Sequence, residues 1–234
     1  MRIGGIQWMS LIDYPDHIAA TVFTVGCNFR CPFCHNPELV LPELVVKASG
    51  ALKDDFFDEL AERRGFLDGI VISGGEPTLQ PDLLSVLERI KHLGFLIKLD
   101  TNGSQPDVIR HVLDKDLVDF FAMDMKAPLY RYDELAGVAV DAAAITVSIS
   151  LIRDRARDYE FRTTVAPGLG PEDLIEIGTW LDGAHGYWLQ EFQTPASKQL
   201  VDVRCADQPA LKKDDLEAAW TTLRDRFDVG GIRC

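Results

Sequence analysis

Residues 19–37, AATVFTVGCNFRCPFCHNP, combine a short apolar run with three closely spaced cysteines. The run from 19 to 25 is rich in β-branched and aromatic side chains, which is typical of a buried β-strand. Gly26 ends the run, because glycine readily adopts the backbone conformations of turns. Cys27, Cys31 and Cys34 are therefore predicted to lie on a loop that leaves a strand.

Similar arrangements recur further along the chain, where short apolar runs lead directly into polar or glycine-rich residues. They are 69–72 before SGGEP at 73–77, 95–99 before DTNG at 100–103, and 118–123 before DMKAP at 124–128. Two more apolar runs follow, at 159–166 and 187–192. Amphipathic stretches separate the runs, and this alternation predicts a parallel sheet with the polar segments at the carboxyl ends of its strands. Folds of this kind place their chemistry at those ends.

The amphipathic stretches predict the helices that connect the strands. They are expected at 53–64, at 82–93, after Pro106, at 172–181 and, as a closing helix, at 211–227. The stretch 142–152 fits both periodicities, and helix is preferred because parallel strands need a crossover. Six strand and helix units are fewer than a complete barrel requires. The sequence therefore predicts an α/β fold, an open or partial TIM-like (β/α)6 barrel of parallel strands, in one domain over residues 1–234.

Composition limits the partners that this protein can have. The chain has 24 Lys and Arg against 37 Asp and Glu, a net charge of −13. Such a charge repels a phosphate backbone, so nucleic acid is not an expected partner. No apolar run reaches the roughly 20 residues that span a bilayer, and residues 1–8 do not read as a secretory signal. We expect a cytoplasmic protein that does not contact a membrane.

The cysteine trio predicts a metal centre. Its spacing of i, i+4 and i+7 lets three thiolates face a common point. A 4Fe-4S cubane needs four ligands, so three cysteines leave one iron open for chemistry. The alternative is zinc with His35 as fourth ligand, although zinc sites usually combine two knuckles from separate parts of the chain. Cys205 and Cys234 are interpreted as isolated free thiols.

The Cys-x3-Cys-x2-Cys loop, with Phe33 before the third cysteine, resembles the signature of the radical S-adenosylmethionine (SAM) superfamily. The strand-end motifs follow in the same order over nearly the whole chain. This resemblance implies the radical SAM fold, a 4Fe-4S cluster on Cys27, Cys31 and Cys34 within loop 26–37, and SAM bound at the open iron. In that superfamily an electron from the cluster breaks the sulfonium C5′ bond, and the resulting 5′-deoxyadenosyl radical removes a hydrogen atom from the substrate.

The ends of the third and fourth strands are similar to those of glycyl radical enzyme activating proteins. The similarity implies that the Gly74-Gly75-Glu76 segment holds the amino group of SAM and that Lys126 pairs with its carboxylate. The SAM-binding set that the resemblance implies is Phe33, Cys34, His35, Gly74, Gly75, Glu76, Thr101, Asn102, Lys126, Arg162 and Gln193. Gln193 stands where the pyruvate formate-lyase activator has a histidine, and an amide can also form a hydrogen bond.

The same resemblance implies a monovalent cation beside the carboxylate of SAM, with Asp100, Thr101 and Asp124 as its candidate ligands. Arg162 matches an arginine that these activators direct into the barrel. The alternative for Arg162 is a structural salt bridge with one of the acidic residues at the strand ends.

Residues 6–16, IQWMSLIDYPD, and the Cys34-His35-Asn36-Pro37 segment look most like anaerobic ribonucleoside-triphosphate reductase activating proteins. The implied partners are a glycyl radical enzyme, as protein substrate, and a low-potential electron donor such as flavodoxin or ferredoxin. Other activators read Asp-Gly-Pro-Gly where this chain has Asp13-Tyr14-Pro15-Asp16. Two alternatives remain: a radical SAM enzyme with a small substrate, similar to a deazapurine synthase, and a zinc-stabilised interaction module.

Overall fold

The computed structural model describes residues 1–48, 50–193 and 200–233. Within these ranges, nine strands form a single sheet. They are β1 (Arg2–Ser10), β2 (Ala19–Thr24), β3 (Gly50–Ala51), β4 (Gly69–Gly74), β5 (Leu96–Thr101), β6 (Phe120–Asp124), β7 (Tyr159–Val165), β8 (Gly186–Glu191) and β9 (Val229–Arg233). Their order across the sheet is β3-β1-β2-β4-β5-β6-β7-β8-β9, so the sheet is open.

The six strands predicted from the sequence are confirmed. They are β2, β4, β5, β6, β7 and β8, and each pairs in parallel with the next. The open parallel barrel is therefore confirmed as the fold class. Strand β1 lies antiparallel to β2, and β3 antiparallel to β1, which extends the sheet beyond the predicted core.

The helices between the strands also follow the sequence patterns. They are α1 (Pro37–Val40), α2 (Pro42–Ala48), α3 (Asp55–Glu62), α4 (Leu83–His92), α5 (Pro106–Asp114), α6 (Tyr132–Ala136), α7 (Ala142–Arg155), α8 (Pro171–Trp180) and α9 (Lys213–Leu223). The ambiguous stretch at 142–152 is helical, in α7, as a parallel crossover requires. The short helices α1, α2 and α6 were not predicted.

The predicted closing helix, 211–227, is too long. Helix α9 ends at Leu223, and Phe227 is already extended. The ring of Phe227 lies 5.0 Å from that of Tyr187 and 6.3 Å from that of Trp220, so the chain turns back towards β8. The next residues form β9, a seventh parallel strand beside β8.

The two faces of the sheet differ in chemistry. On the outer face, Ile70, Ile72 and Leu99 pack with buried helix residues such as Leu87 and Ile109. The inner face carries the alternate side chains of each strand. Near the amino ends of the strands, a small apolar cluster fills this inner face: Tyr14, Ala19, Val71, Phe120 and Ala122. Towards the carboxyl ends the inner face becomes charged, and the site lies there.

Among the described residues, none of the helices combines the length and the hydropathy that crossing a membrane would require.

Candidate active site

The cysteine loop begins at Gly26, whose positive φ of 93° turns the chain away from β2. Cys27, Cys31 and Cys34 all line one cavity of about 220 Å³ at the carboxyl ends of the strands. Phe29 and Phe33 also line this cavity, and both are buried. The loop thus brings all three cysteines to the wall of one cavity, beside two buried aromatic side chains.

Two other segments hold the cysteine loop in place. The amide of Arg30 donates to the carbonyl of Ala136, at the end of α6, over 2.8 Å. Gly137 follows with φ of 69°, and a Cβ there would overlap the carbonyl of Arg30. From the other side, the amide of Val201 donates to the carbonyl of Cys34 over 3.1 Å. These supports were missed, since each joins residues far apart in the sequence.

Burial makes the three thiols reluctant to ionise. It raises the pKa of Cys27 to about 11 and that of Cys31 to about 12, and it raises the pKa of Cys34 as well. Thiolates at these positions therefore need a bound cation, and iron that binds a thiol removes its proton. The donor set thus fits a cluster held by three cysteines.

No three His, Cys, Asp or Glu side chains in the described part of the chain converge as a single metal ion would require. A cubane does not need such convergence, because each thiolate binds a different iron.

The glycine pair after β4 packs against the start of the cysteine loop. The amide of Gly75 donates to the carbonyl of Thr24 over 2.9 Å, and the amide of Glu76 donates to the carbonyl of Gly26 over 2.8 Å. A Cβ at Gly74 would overlap the Thr24 backbone, and one at Gly75 the Gly26 backbone. Both glycines line the cavity. Their immediate role is thus to let two strand ends meet, whereas from the sequence only the close approach of a ligand was expected.

Glu76 is fully buried, and its carboxylate accepts hydrogen bonds from its own surroundings. Oε1 accepts from the amide of Thr78 at 3.0 Å and from the hydroxyl of Thr101 at 2.8 Å, while Oε2 accepts from the amide of Asn102 at 2.7 Å. Burial raises the pKa of Glu76, and these hydrogen bonds oppose the rise. Glu76 fastens the turn after β4 to the end of β5, a role that the sequence did not reveal.

Two aspartates and three cations form a chain of ion pairs across β5, β6 and β7, which we name the charge cluster: Lys98, Asp100, Asp124, Lys126 and Arg162. Nε of Arg162 donates to Asp124 Oδ1 over 2.9 Å, and Nζ of Lys126 donates to Asp124 Oδ2 over 3.1 Å. Nζ of Lys98 donates to Asp100 Oδ1 over 2.5 Å. Lys98 was not among the predicted site residues, because a lysine within an apolar run gives no sign of its partner.

The charge cluster fixes the ionisation of its members. Burial raises the pKa of Asp124, but Arg162 and Lys126 more than offset it and hold the pKa at about 2. Burial likewise opposes ionisation of Asp100, yet Arg162 and Lys98 lower its pKa below the ordinary value. Burial disfavours the charged form of Lys126, whose pKa is nevertheless raised by Asp124. All three groups are therefore charged at neutral pH.

Most of the predicted site residues lie on the cavity wall. They are Cys27, Cys31, Phe33, Cys34, His35, Gly74, Gly75, Glu76, Asp100, Thr101, Asn102, Asp124 and Lys126. Asn102 also approaches the first cysteine, with Nδ2 at 3.9 Å from Cys27 Sγ. Ser73 and Thr164, which were not predicted, complete the wall beside the charge cluster. Ser73 lies near the end of β4, directly before the glycine pair, and this position could have identified it as a residue of the cavity wall.

Arg162 and Gln193 are not among the residues that line the cavity. Arg162 lies behind Asp100 and Asp124 and pairs with both. This is the alternative given for Arg162 above, a structural salt bridge with acidic residues at the strand ends. Gln193 is exposed, and its backbone carbonyl, not its side-chain amide, lies 2.5 Å from Nε2 of His35. His35 stacks on Phe192 at 5.2 Å, so the end of β8 covers the outer side of the cysteine loop.

Comparison with known proteins identifies a superfamily for this chain. Residues 21–181 match the model of the radical SAM superfamily. A protein of Methanocaldococcus jannaschii, assigned as a glycyl-radical enzyme activating enzyme, is 33% identical over 237 residues and covers 99% of this chain and 95% of its own. The pyruvate formate-lyase-activating enzyme of Listeria monocytogenes is 29% identical over 244 residues, covering 99% of this chain and 89% of its own.

The structure of Streptococcus suis SuiB bound to S-adenosylmethionine superposes with a TM-score of 0.62 at 15% identity, over 92% of this chain and 52% of that one. At this identity the likeness shows the fold alone. The superfamily match implies a 4Fe-4S cluster and SAM, and it makes the protein an enzyme with radical SAM chemistry. The chain belongs to the radical SAM superfamily and, within it, to the glycyl-radical enzyme activating enzymes.

Proposed function

We propose that this protein activates an anaerobic ribonucleoside-triphosphate reductase by generating a glycyl radical on it. The observation that carries the proposal is the cavity itself, where the cysteine trio faces the strand-end motifs and the charge cluster. The choice of partner rests on residues 6–16 and 34–37, whose sequence resembles the activators of that reductase.

The cluster, when bound, supplies one electron to SAM, whose sulfonium C5′ bond breaks to give methionine and a 5′-deoxyadenosyl radical. With the cluster and SAM bound, a hydrogen atom would pass from the Cα of a partner glycine to the 5′ carbon, giving 5′-deoxyadenosine and leaving the radical on the glycine. In this proposal Cys27, Cys31 and Cys34 hold the cluster. Phe29 and Phe33 exclude water from the cavity.

The polar wall of the cavity would orient the cosubstrate. The ammonium of Lys126 faces the cavity and offers a charge-assisted hydrogen bond to a carboxylate. The backbone of Gly74 and Gly75, together with Oε2 of Glu76, offers acceptors for an amino group. The hydroxyl of Thr101 donates to Glu76, and the side-chain amide of Asn102 donates to Asn28 Oδ1 over 3.0 Å. These two residues would therefore hold the cavity wall in place.

The cluster assignment is tested by reconstitution without oxygen, which should give about four irons and four sulfides per chain. With dithionite and SAM, the loaded protein should yield 5′-deoxyadenosine and methionine. Cys31→Ala should abolish this yield, whereas Cys205→Ala, which removes a buried thiol outside the cavity, should retain it. One zinc and no sulfide, or an unchanged yield in Cys31→Ala, would contradict the assignment.

The partner is tested by electron paramagnetic resonance. The loaded protein, SAM and a reductant are mixed in parallel with an anaerobic ribonucleotide reductase and with a pyruvate formate-lyase from the same organism. A glycyl radical doublet with the reductase supports the proposal. A doublet with the lyase alone would reassign the partner, and 5′-deoxyadenosine formation without a doublet in either mixture would favour a small substrate.

A further inference from the structure

Lys98 is a lysine buried inside the barrel. Its side chain is 2% exposed, and it points from β5 to the inner face of the sheet, as Asp100 does two residues later. A buried ammonium is costly unless a partner balances its charge. The partner here is Asp100, whose Oδ1 lies 2.5 Å from Nζ of Lys98.

The carboxylate oxygens of both aspartates in the charge cluster already have protein partners. Asp100 Oδ1 accepts from Lys98, and Asp100 Oδ2 accepts from the hydroxyl of Ser73 at 2.9 Å and lies 3.5 Å from NH2 of Arg162. Asp124 Oδ1 accepts from Arg162, and Asp124 Oδ2 from Lys126. These residues therefore do not fit the monovalent cation that the resemblance implied, because its carboxylate ligands are occupied by ammonium and guanidinium groups.

The charge cluster also carries an excess of positive charge. It contains three cations, Lys98, Lys126 and Arg162, and two carboxylates, those of Asp100 and Asp124. Glu160 lies 3.9 Å from NH1 of Arg162, but it is itself paired with Arg233 at 2.7 Å, so this additional pair is neutral and leaves the excess unchanged. Asp100, Asp124 and Lys126 line the cavity, and Lys98 and Arg162 lie behind them, so the charge cluster as a whole places one net positive charge beside the cavity. Such an excess favours an anionic group such as a carboxylate.

We propose that Lys98 is a built-in counter-ion that occupies the place of a metal cation beside Asp100, so that the site binds the carboxylate of SAM without a monovalent metal ion. Lys98 is thus a positioning residue: it neutralises Asp100, so that Lys126, which pairs with Asp124, is not drawn to a second carboxylate and can also donate to the ligand. This inference rests on the proposed binding of SAM and adds to it the source of the positive charge.

The first test uses the cluster-loaded wild-type protein. Its affinity for SAM is measured by anaerobic calorimetry in potassium, sodium or tetramethylammonium chloride at equal ionic strength. Tetramethylammonium is too large to enter a carboxylate site, so it reports binding without a metal cation. The affinity should agree within about twofold in all three salts. A loss of about tenfold or more in tetramethylammonium would overturn the proposal.

The second test removes the built-in charge. Lys98→Met keeps the length of the side chain, and it should weaken SAM binding by about tenfold or more in tetramethylammonium. Potassium or sodium should restore a good part of the affinity by entering the vacated place. Lys91→Met is the matched control, since Lys91 pairs with Asp119 at 2.7 Å outside the cavity. It should bind SAM like the wild type in every salt.

If Lys98 had only a structural role, its replacement would lower the stability of the fold but would not make SAM binding depend on the cation in solution. If Lys98→Met does not fold, the double variant Lys98→Met with Asp100→Asn removes both charges and should fold. It should then bind SAM in all three salts alike. A folded Lys98→Met that binds as tightly as the wild type, or that no cation rescues, would contradict the proposal.

Thermal unfolding separates this inference from the proposed function. In the loaded Lys98→Met protein, replacing tetramethylammonium with potassium should raise the Tm by about 2 °C or more, and in the wild type it should not. This measurement requires no SAM. If SAM fails to bind the wild type in any salt, the proposed function fails, while the Tm comparison still decides whether Lys98 replaces a cation.

Discussion

At the residue scale, the buried carboxyl group of Glu76 forms hydrogen bonds within the protein itself, in addition to lying at the cavity. Its two oxygens accept hydrogen bonds from Thr78, in the turn after β4, and from Thr101 and Asn102, at the end of β5 and in the turn that follows it. Both turns line the cavity, so the carboxylate determines how they stand relative to each other.

Glu76→Gln tests this role. A glutamine places an NH2 group where the carboxylate accepts, so at least one buried donor loses its acceptor. We expect the free energy of unfolding to fall by about 2 kcal/mol, the usual cost of an unpaired buried group near a lost charge-assisted bond. Urea unfolding measures it, with Glu62→Gln on the exposed side of α3 as control. Equal midpoints for both variants would show that the carboxylate has no structural role.

Residue roles were only partly predictable from the sequence. The order of the motifs places Cys27, Cys31, Asp100 and Lys126 at one edge of the sheet, because parallel strands share their carboxyl ends. The sequence does not show which polar groups meet across strands. Lys98 was missed because its neighbours are apolar and its partner depends on which face of β5 it occupies.

At the element scale, the meeting of β2 and β4 decides where the cysteine loop begins. Parallel pairing runs from Ala19 with Gly69 to Thr24 with Gly74, and the hydrogen bonds of Gly75 and Glu76 extend it to Gly26. The loop and the glycine pair therefore form a continuous unit. A change in the glycine pair is expected to reach the cysteines.

Gly75→Ala is the corresponding prediction. Its Cβ would overlap the carbonyl of Gly26, a backbone group that cannot move without shifting Cys27. We expect a loss of about 2 kcal/mol of stability, the usual cost of overpacking, together with incomplete iron incorporation. Gly5→Ala on β1 is the control, since a Cβ there meets nothing within 4 Å. Full cluster loading in Gly75→Ala would show that the contact can relax.

Elements with strong periodicity were predictable, and short or glycine-containing ones were not. Helix α7 was predicted correctly because its sequence fits both helix and strand periodicity, and the crossover between two parallel strands requires a helix. Strand β9 was missed because its sequence, VGGIR, has two glycines and a weak strand propensity. The structure explains one of them: a Cβ at Gly230 would overlap the carbonyl of Tyr187 and the ring of Trp220.

At the scale of the whole molecule, polarity changes along the inside of the barrel. Tyr14 and Phe120 close the amino ends of the strands with an apolar cluster, and the charge cluster occupies the level above it. The segment 13–16, where this chain departs from other activators, supplies Tyr14 to that closure. Asp13 accepts from the hydroxyl of Thr21 at 2.8 Å, which fixes the same segment to β2. The interior of the barrel is therefore apolar at the amino ends of the strands and charged at their carboxyl ends.

The charge cluster also joins β5, β6 and β7, so its ionisation should affect the stability of the whole fold. Burial raises the pKa of Asp124, but Arg162 and Lys126 hold it at about 2, below the value of about 3.9 for an unfolded aspartate. A carboxyl group with a lowered pKa stabilises the folded state above its unfolded pKa, and this contribution is lost as the pH falls through the folded pKa. Asp124 should therefore stabilise the protein near neutrality and cease to do so near pH 2.

Asp124→Asn tests this contribution, because the carboxylates outside the charge cluster titrate similarly in both proteins, and within it Asp100 loses only the opposing charge of Asp124. The wild type should be more stable than the variant at about pH 6, and the gap should narrow by about 2 kcal/mol by pH 2. Urea unfolding of the cluster-free protein at intervals of pH measures it without interference from acid-labile iron. The exposed Asp58 of α3 provides the control, since its replacement by asparagine should leave a gap that hardly changes. A gap for Asp124→Asn that stays constant, or widens towards acid, would mean that Arg162 and Lys126 do not hold this carboxylate ionised. The three central strands would then be held together at the site by their backbone pairing and side-chain packing, without a contribution from this ion pair.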